Sequence, residues 1–149
     1  MLAKHTELGI RLLRGLSFNV MWPWEVFDAD AMGKFIAICD LWKSTEALHW
    51  SNMRFYLNPF TLKLEPIAFI SGINNTLPDD KHVFQDKGSS FINFLFFDPR
   101  ILNAYNKYII RFSDPKYLAE LKNTLAENGK NANFDFAALE KRAEFLGTH

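Results

Sequence analysis

Only one stretch of this 149-residue sequence alternates in the manner of paired strands. Residues 53–57, Met-Arg-Phe-Tyr-Leu, and residues 62–65, Leu-Lys-Leu-Glu, each place apolar residues at every second position, and Asn58-Pro59-Phe60-Thr61 between them has turn chemistry. The pattern predicts a single β-hairpin. Pro66 has no N–H to give to a ladder, so the second strand should end there or run along an edge. A lone hairpin is marginal in water, so the rest of the chain must supply the surface it packs on.

That remainder is written in the helical period. A helix is expected over 6–15, followed by Met21-Trp22-Pro23-Trp24 as a packed connection where Pro23 disfavours helix. From Asp28 or Asp30 as N-cap, Met32, Phe35, Ile36, Cys39 and Trp42 recur at helical spacing, and Ile38 and Leu41 widen the apolar face toward deep burial. Residues 70–90 read as the longest loop. Three helices follow, over 99–112, 115–127 and about 135–146, with start signals at Asp98-Pro99, Ser113-Asp114-Pro115 and residues 133–135. Gly129 and Gly147 lie where the last two should stop. The fold class implied is α+β, mainly helical, a bundle with one β-hairpin, and without linker or repeat the chain reads as one domain over 1–149.

Composition narrows the function classes. With 48% hydrophobic residues and fifteen Phe the chain is too apolar to stay disordered. Formal net charge is zero and the basic residues form no tract, which argues against a nucleic-acid partner. The amino-terminal fifteen residues carry Lys4, His5, Glu7, Arg11 and Arg14 among their leucines and so do not read as a signal peptide. The strongest apolar run, 91–97, is far short of the roughly twenty residues a membrane span needs. Cys39, the only cysteine, sits in an apolar periodic segment and reads as a small buried hydrophobe.

Chemistry-bearing patterns are sparse. The seven glycines never cluster into a phosphate-cradling loop, and His5, His49, His82 and His149 have no partner at zinc-ligand spacing. Asp79-Asp80, followed by His82 and Asp86, is the densest acidic cluster and the candidate for a hard cation. Asp28 and Asp30 are explained by helix capping, whereas Asp40, near the end of a buried helix and just before the hairpin, is not.

The segment 47–69, with Asn52-Met53-Arg54-Phe55-Tyr56 opening an aromatic strand, Asn58-Pro59 in the turn and Pro66-Ile67 after the return strand, resembles the CotH family of atypical protein kinases. Glu25-Val26-Phe27-Asp28 with its helix, and Phe97-Asp98-Pro99 through Tyr108, look like the elements flanking that hairpin, so the resemblance extends over about 25–125. It implies a kinase C-lobe-like bundle and a metal-binding role for Asn52. In kinases an Asp positions the substrate hydroxyl, an Asn and a second Asp hold the metal ions, and a Lys of the other lobe grips the phosphates. Here the catalytic acid falls near Ser44, with Asp40 and Glu46 the nearest carboxyl groups, and Ile70 stands where the second metal-binding Asp belongs. The residues before Asn52 leave no room for a nucleotide-binding sheet. The resemblance therefore implies a kinase-like remnant or truncated homologue, acting as a non-catalytic binding or scaffolding module with no cofactor. Its alternative is an ATP-dependent kinase using Mg or Mn, completed by another chain or by Asp79 and Asp80. Uncovered apolar surface at Met21, Trp22 and Trp24, and at Phe91, Phe94, Phe96 and Phe97, would then mark a protein partner or self-association.

Overall fold

The computed structural model describes residues 2–68, 77–86, 88, 90–127 and 135–148. Its elements in order are α1 (Leu2–Ser17), α2 (Pro23–Val26), α3 (Ala29–Leu41), β1 (Phe55–Leu57), β2 (Leu64–Pro66), α4 (Ser90–Leu95), α5 (Pro99–Phe112), α6 (Pro115–Glu127) and α7 (Phe136–Thr148). Short 3-10 turns cover Glu46–Leu48 and Val83–Gln85. The fold is mainly helical α+β, as the periodicity requires, and no helix among the described residues is long and apolar enough to cross a membrane.

Helix α3 is the axis of the core. Asp28 caps it, its carboxyl oxygen accepting the Ala31 N–H at 2.8 Å. Met32, Gly33, Phe35, Ile36, Ala37, Cys39 and Leu41 are all buried, so the helix is apolar around most of its circumference and is enclosed by α5, α7 and β2. It ends in a Schellman motif: Lys43 N–H donates to the Asp40 carbonyl at 3.1 Å and Ser44 N–H to that of Cys39 at 2.8 Å, with Lys43 left-handed at φ 51°.

The crossing of α3 over α5 is close because Gly33 has no side chain. A Cβ at that position would lie 2.5 Å from both the Ala104 Cβ and the Tyr105 backbone nitrogen. Gly→Ala inside a helix ordinarily stabilises by about 0.5–1 kcal/mol. Here the sign reverses, because backbone cannot retreat as a flexible side chain can, and Gly33→Ala is expected to destabilise by about 1–3 kcal/mol. Chemical denaturation checks it; a stabilised variant would show that the helices part freely.

The hairpin pairs Phe55 with Pro66, Tyr56 with Glu65 and Leu57 with Leu64, antiparallel. Its connection is longer than the four residues the alternation marks out. Asn58 accepts the Phe60 and Thr61 N–H groups on its side chain and the Leu62 N–H on its carbonyl, and Leu62 is left-handed at φ 56°. Leu62 and Lys63 therefore belong to the turn, and β2 begins at Leu64. The Asp28 N–H donates to the Leu64 carbonyl at 3.0 Å, fastening the hairpin to the start of α3.

Three expectations need correction. Pro23 does not merely interrupt helix but opens α2 from its first position, where a missing N–H is harmless. Ser90 is not loop; it starts α4, which takes up most of the Phe-rich run. Gly147 does not stop the last helix, which continues to Thr148, and a Cβ on it would sit 3.2 Å from the Ser113 Cβ, so this glycine serves a close approach. Gly129, Asn133 and Ile70 lie outside the described residues.

A buried polar clasp as candidate functional site

Asp40 occupies the last turn of α3 and is fully buried. A buried carboxyl group needs partners for both oxygens, and Asp40 finds them on three other segments. Oδ1 accepts from Arg142 Nη2 of α7 and from the Val83 backbone N–H at 3.1 Å. Oδ2 accepts from the Tyr105 hydroxyl of α5 at 2.6 Å and lies 2.8 Å from His82 Nδ1. The Tyr105 hydroxyl also lies 3.0 Å from His82 Nδ1, so the three groups form one close triangle. Arg142, itself 2% exposed, also donates Nε to the Asp40 carbonyl at 3.1 Å and Nη1 to the Asp79 carbonyl at 2.8 Å.

Aromatic rings close the cluster. Phe84 stacks on the His82 ring at a centroid distance of 4.8 Å, Phe145 lies 5.2 Å from it, and the Arg142 guanidinium sits 5.2 Å from the Phe145 centroid. Burial, followed by the nearby Asp40 carboxyl, pushes the Tyr105 hydroxyl well above the usual phenol range, so Tyr105 stays a donor at any ordinary pH. These side chains tie the 77–86 segment to α3, α5 and α7, which also pack on one another. Chemically the cluster is saturated: neither oxygen of Asp40 is left to take a proton from a substrate.

The other candidate residues lie apart from this centre or at its rim. The Asp79 carboxylate is exposed and held by Lys141 at 2.8 Å and Lys43 at 3.0 Å, and those hydrogen bonds bring its pKa down to about 2. Asp80 beside it is exposed and shares a shallow surface cleft with Asp79, Lys141 and Glu144. Asn52 turns its amide inward onto Glu46, donating to the Glu46 carbonyl at 2.9 Å and approaching its carboxylate at 3.5 Å, so these two meet each other and not Asp40. Ser44, near which the catalytic acid was expected, is fully buried with a hydroxyl that has no hydrogen-bond partner among the described residues. Among those residues no group of three or more His, Cys, Asp or Glu side chains could hold a metal ion. Cys39 is buried, and burial raises its thiol far above the usual range, which keeps it in its unreactive form.

No protein-family model matches the chain, and neither a curated protein nor a solved structure matches it. The residues themselves must carry the argument.

Sequence reasoning singled out Asp40, but it set His82 among the acidic cluster and passed over Arg142. The usable signal was an Asp at a core position of a buried helix, which obliges the fold to bring donors to it. What the sequence could not show is which donors, since Arg142 lies 102 positions away and reaches Asp40 only through tertiary packing.

Proposed function

We propose that this chain is a non-catalytic binding or scaffolding module, a kinase-like remnant related to the CotH type through its hairpin segment. The observation that carries the non-catalytic half is the state of Asp40: of the carboxyl groups nearest the expected catalytic position it is the buried one, and three donors and the His82 ring occupy its two oxygens. Glu46 and Asn52 are engaged with one another in a local turn, and Asp79 is neutralised by two lysines. A metal-dependent phosphotransferase would need such groups free to face a nucleotide.

The binding half is supported by apolar surface. Trp22 is 58% exposed and stacks on Trp24 at 4.9 Å, and Phe97 and Phe18 are more than 70% exposed. Phe91 and Phe94 are half-buried and line a cleft of about 310 Å³ with Leu13, Leu16 and Trp50. Large exposed aromatics are enriched where proteins meet partners.

The test is thermal unfolding with ATP and magnesium or manganese. A ligand that binds only the folded state must raise its midpoint, by about 2.7 kcal/mol of stability at a hundredfold excess over Kd. The expected result is no shift. A reproducible nucleotide- and metal-dependent rise, with phosphate transfer to a protein substrate, would replace this reading with the ATP-dependent kinase.

A further inference from the structure

Helix α1 and strand β1 border a cleft of about 650 Å³. Every residue from 53 to 57 lines it, facing Gly9, Ile10 and Leu13 of the helix. Successive side chains of a strand point to opposite faces, and the cleft touches all five as well as Leu64 of β2, so it takes in the edge of β1 together with the hairpin face that Gly9 approaches.

The hydrogen-bond alternation agrees. Asn58 N–H donates to the Lys63 carbonyl at 2.9 Å and Ile67 N–H to the Arg54 carbonyl at 2.8 Å, which makes 54–67, 56–65 and 58–63 the bonded pairs of the ladder. The N–H and C=O groups of Phe55 and Leu57 therefore point away from β2, and no hydrogen bond to them is formed among the described residues. The other side of the hairpin is already covered where Asp28 bonds to Leu64. One open edge beside an apolar helix face is the arrangement used in β-strand addition, where backbone bonds give affinity and alternate side chains give specificity.

The charges choose the occupant. Arg54 is exposed, anchored by Nη1 on the Ser51 and Met53 carbonyls at 2.9 Å each, and no carboxylate lines the cleft. Glu7 on the neighbouring surface of α1 is taken by Arg11 at 2.6 Å. A second copy pairing β1 with β1 about a twofold axis near Phe55–Leu57 would set Arg54 opposite Tyr56 or Asn58 and bring it no carboxylate, since residues 53–59 carry none. We propose that the β1 edge accepts an extended segment of a partner protein as a third strand, its apolar side chains against Ile10 and Leu13 and an acidic residue against Arg54. This gives the binding module its class of partner and rests on the binding half of that reading.

The probe is a capped hexapeptide, acetyl-Asp-Val-Thr-Val-Thr-Val-amide, with two controls: Lys in place of Asp, and N-methylation at alternate residues. Added to the full chain, the Asp peptide should slow amide exchange at Phe55 and Leu57 by about tenfold or more. The Lys peptide should bind more weakly, the N-methylated peptide should fail, and Arg54→Glu should invert the preference between Asp and Lys. Unchanged exchange at Phe55 and Leu57 with the Asp peptide would overturn the proposal. So would amides at these two positions already as protected as that of Tyr56 in the free protein, since the edge would then be covered by another copy. Nucleotide-dependent stabilisation with peptide protection intact would remove the non-catalytic reading and leave the edge site standing, whereas lost protection without a nucleotide effect removes the edge site alone.

Discussion

Asp40→Ala is expected to destabilise the protein by about 3–5 kcal/mol, the usual consequence of removing one partner of a buried ion pair. The physical reason lies in what remains. Arg142 is 2% exposed, and its guanidinium would lose the carboxyl partner of Nη2. The Val83 N–H and the Tyr105 hydroxyl would be orphaned in the same place. Against a total stability of about 5–15 kcal/mol for a natural domain, this is a large fraction. Asp40→Asn should do less harm, since its carbonyl can still accept from Arg142 and Val83 while its amide faces Tyr105 and His82, whose roles can reverse. Urea melts of the two variants check the order. A loss under about 1 kcal/mol in Asp40→Ala, the scale of a surface change, would show that the clasp is not what joins α3, α5, α7 and the 77–86 segment.

The clasp also shows what kind of information a sequence displays. Asp28, Asp98-Pro99 and the start of α6 were legible because a cap satisfies its own helix within three residues: Asp28 accepts from Ala31 and Asp98 from Arg100 at 3.0 Å. The hairpin was legible because alternation is local too. The errors fall where local rules carry no signal. Leu62 and Lys43 adopt left-handed backbone without being glycine or asparagine, so the long turn and the end of α3 gave no residue-type warning. α4 has only six residues, and residues 91–97, apolar at every position but Asn93, leave too little period to read. Gly147 resembled a stop signal, yet its lack of a side chain is used across space, against Ser113. Of the candidate site, position was readable and partnership was not: an Asp in a core register announces that donors must come, but His82, Tyr105 and Arg142 are chosen by how α5, α7 and the 77–86 segment pack.

The same distinction between period and burial can be measured on one residue type. Ile36 is fully buried in α3 and Phe35 is 5% exposed, whereas Ile110 in α5 is 72% exposed. Truncating Ile36 or Phe35 to Ala removes several buried carbon atoms and leaves a void that close-packed neighbours fill only in part, so each is expected to destabilise by about 2–5 kcal/mol. Phe35→Ala should stand at the upper end because more volume is lost. Ile110→Ala loses the same atoms as Ile36→Ala but from a position already in water, so its effect should stay within about 0.5 kcal/mol. Helix propensity favours Ala at every one of these sites, which makes the contrast a measure of packing rather than of local helix formation. Urea melts with matched slopes decide it. If Ile36→Ala and Ile110→Ala proved equal, α3 would not be the axis of the core.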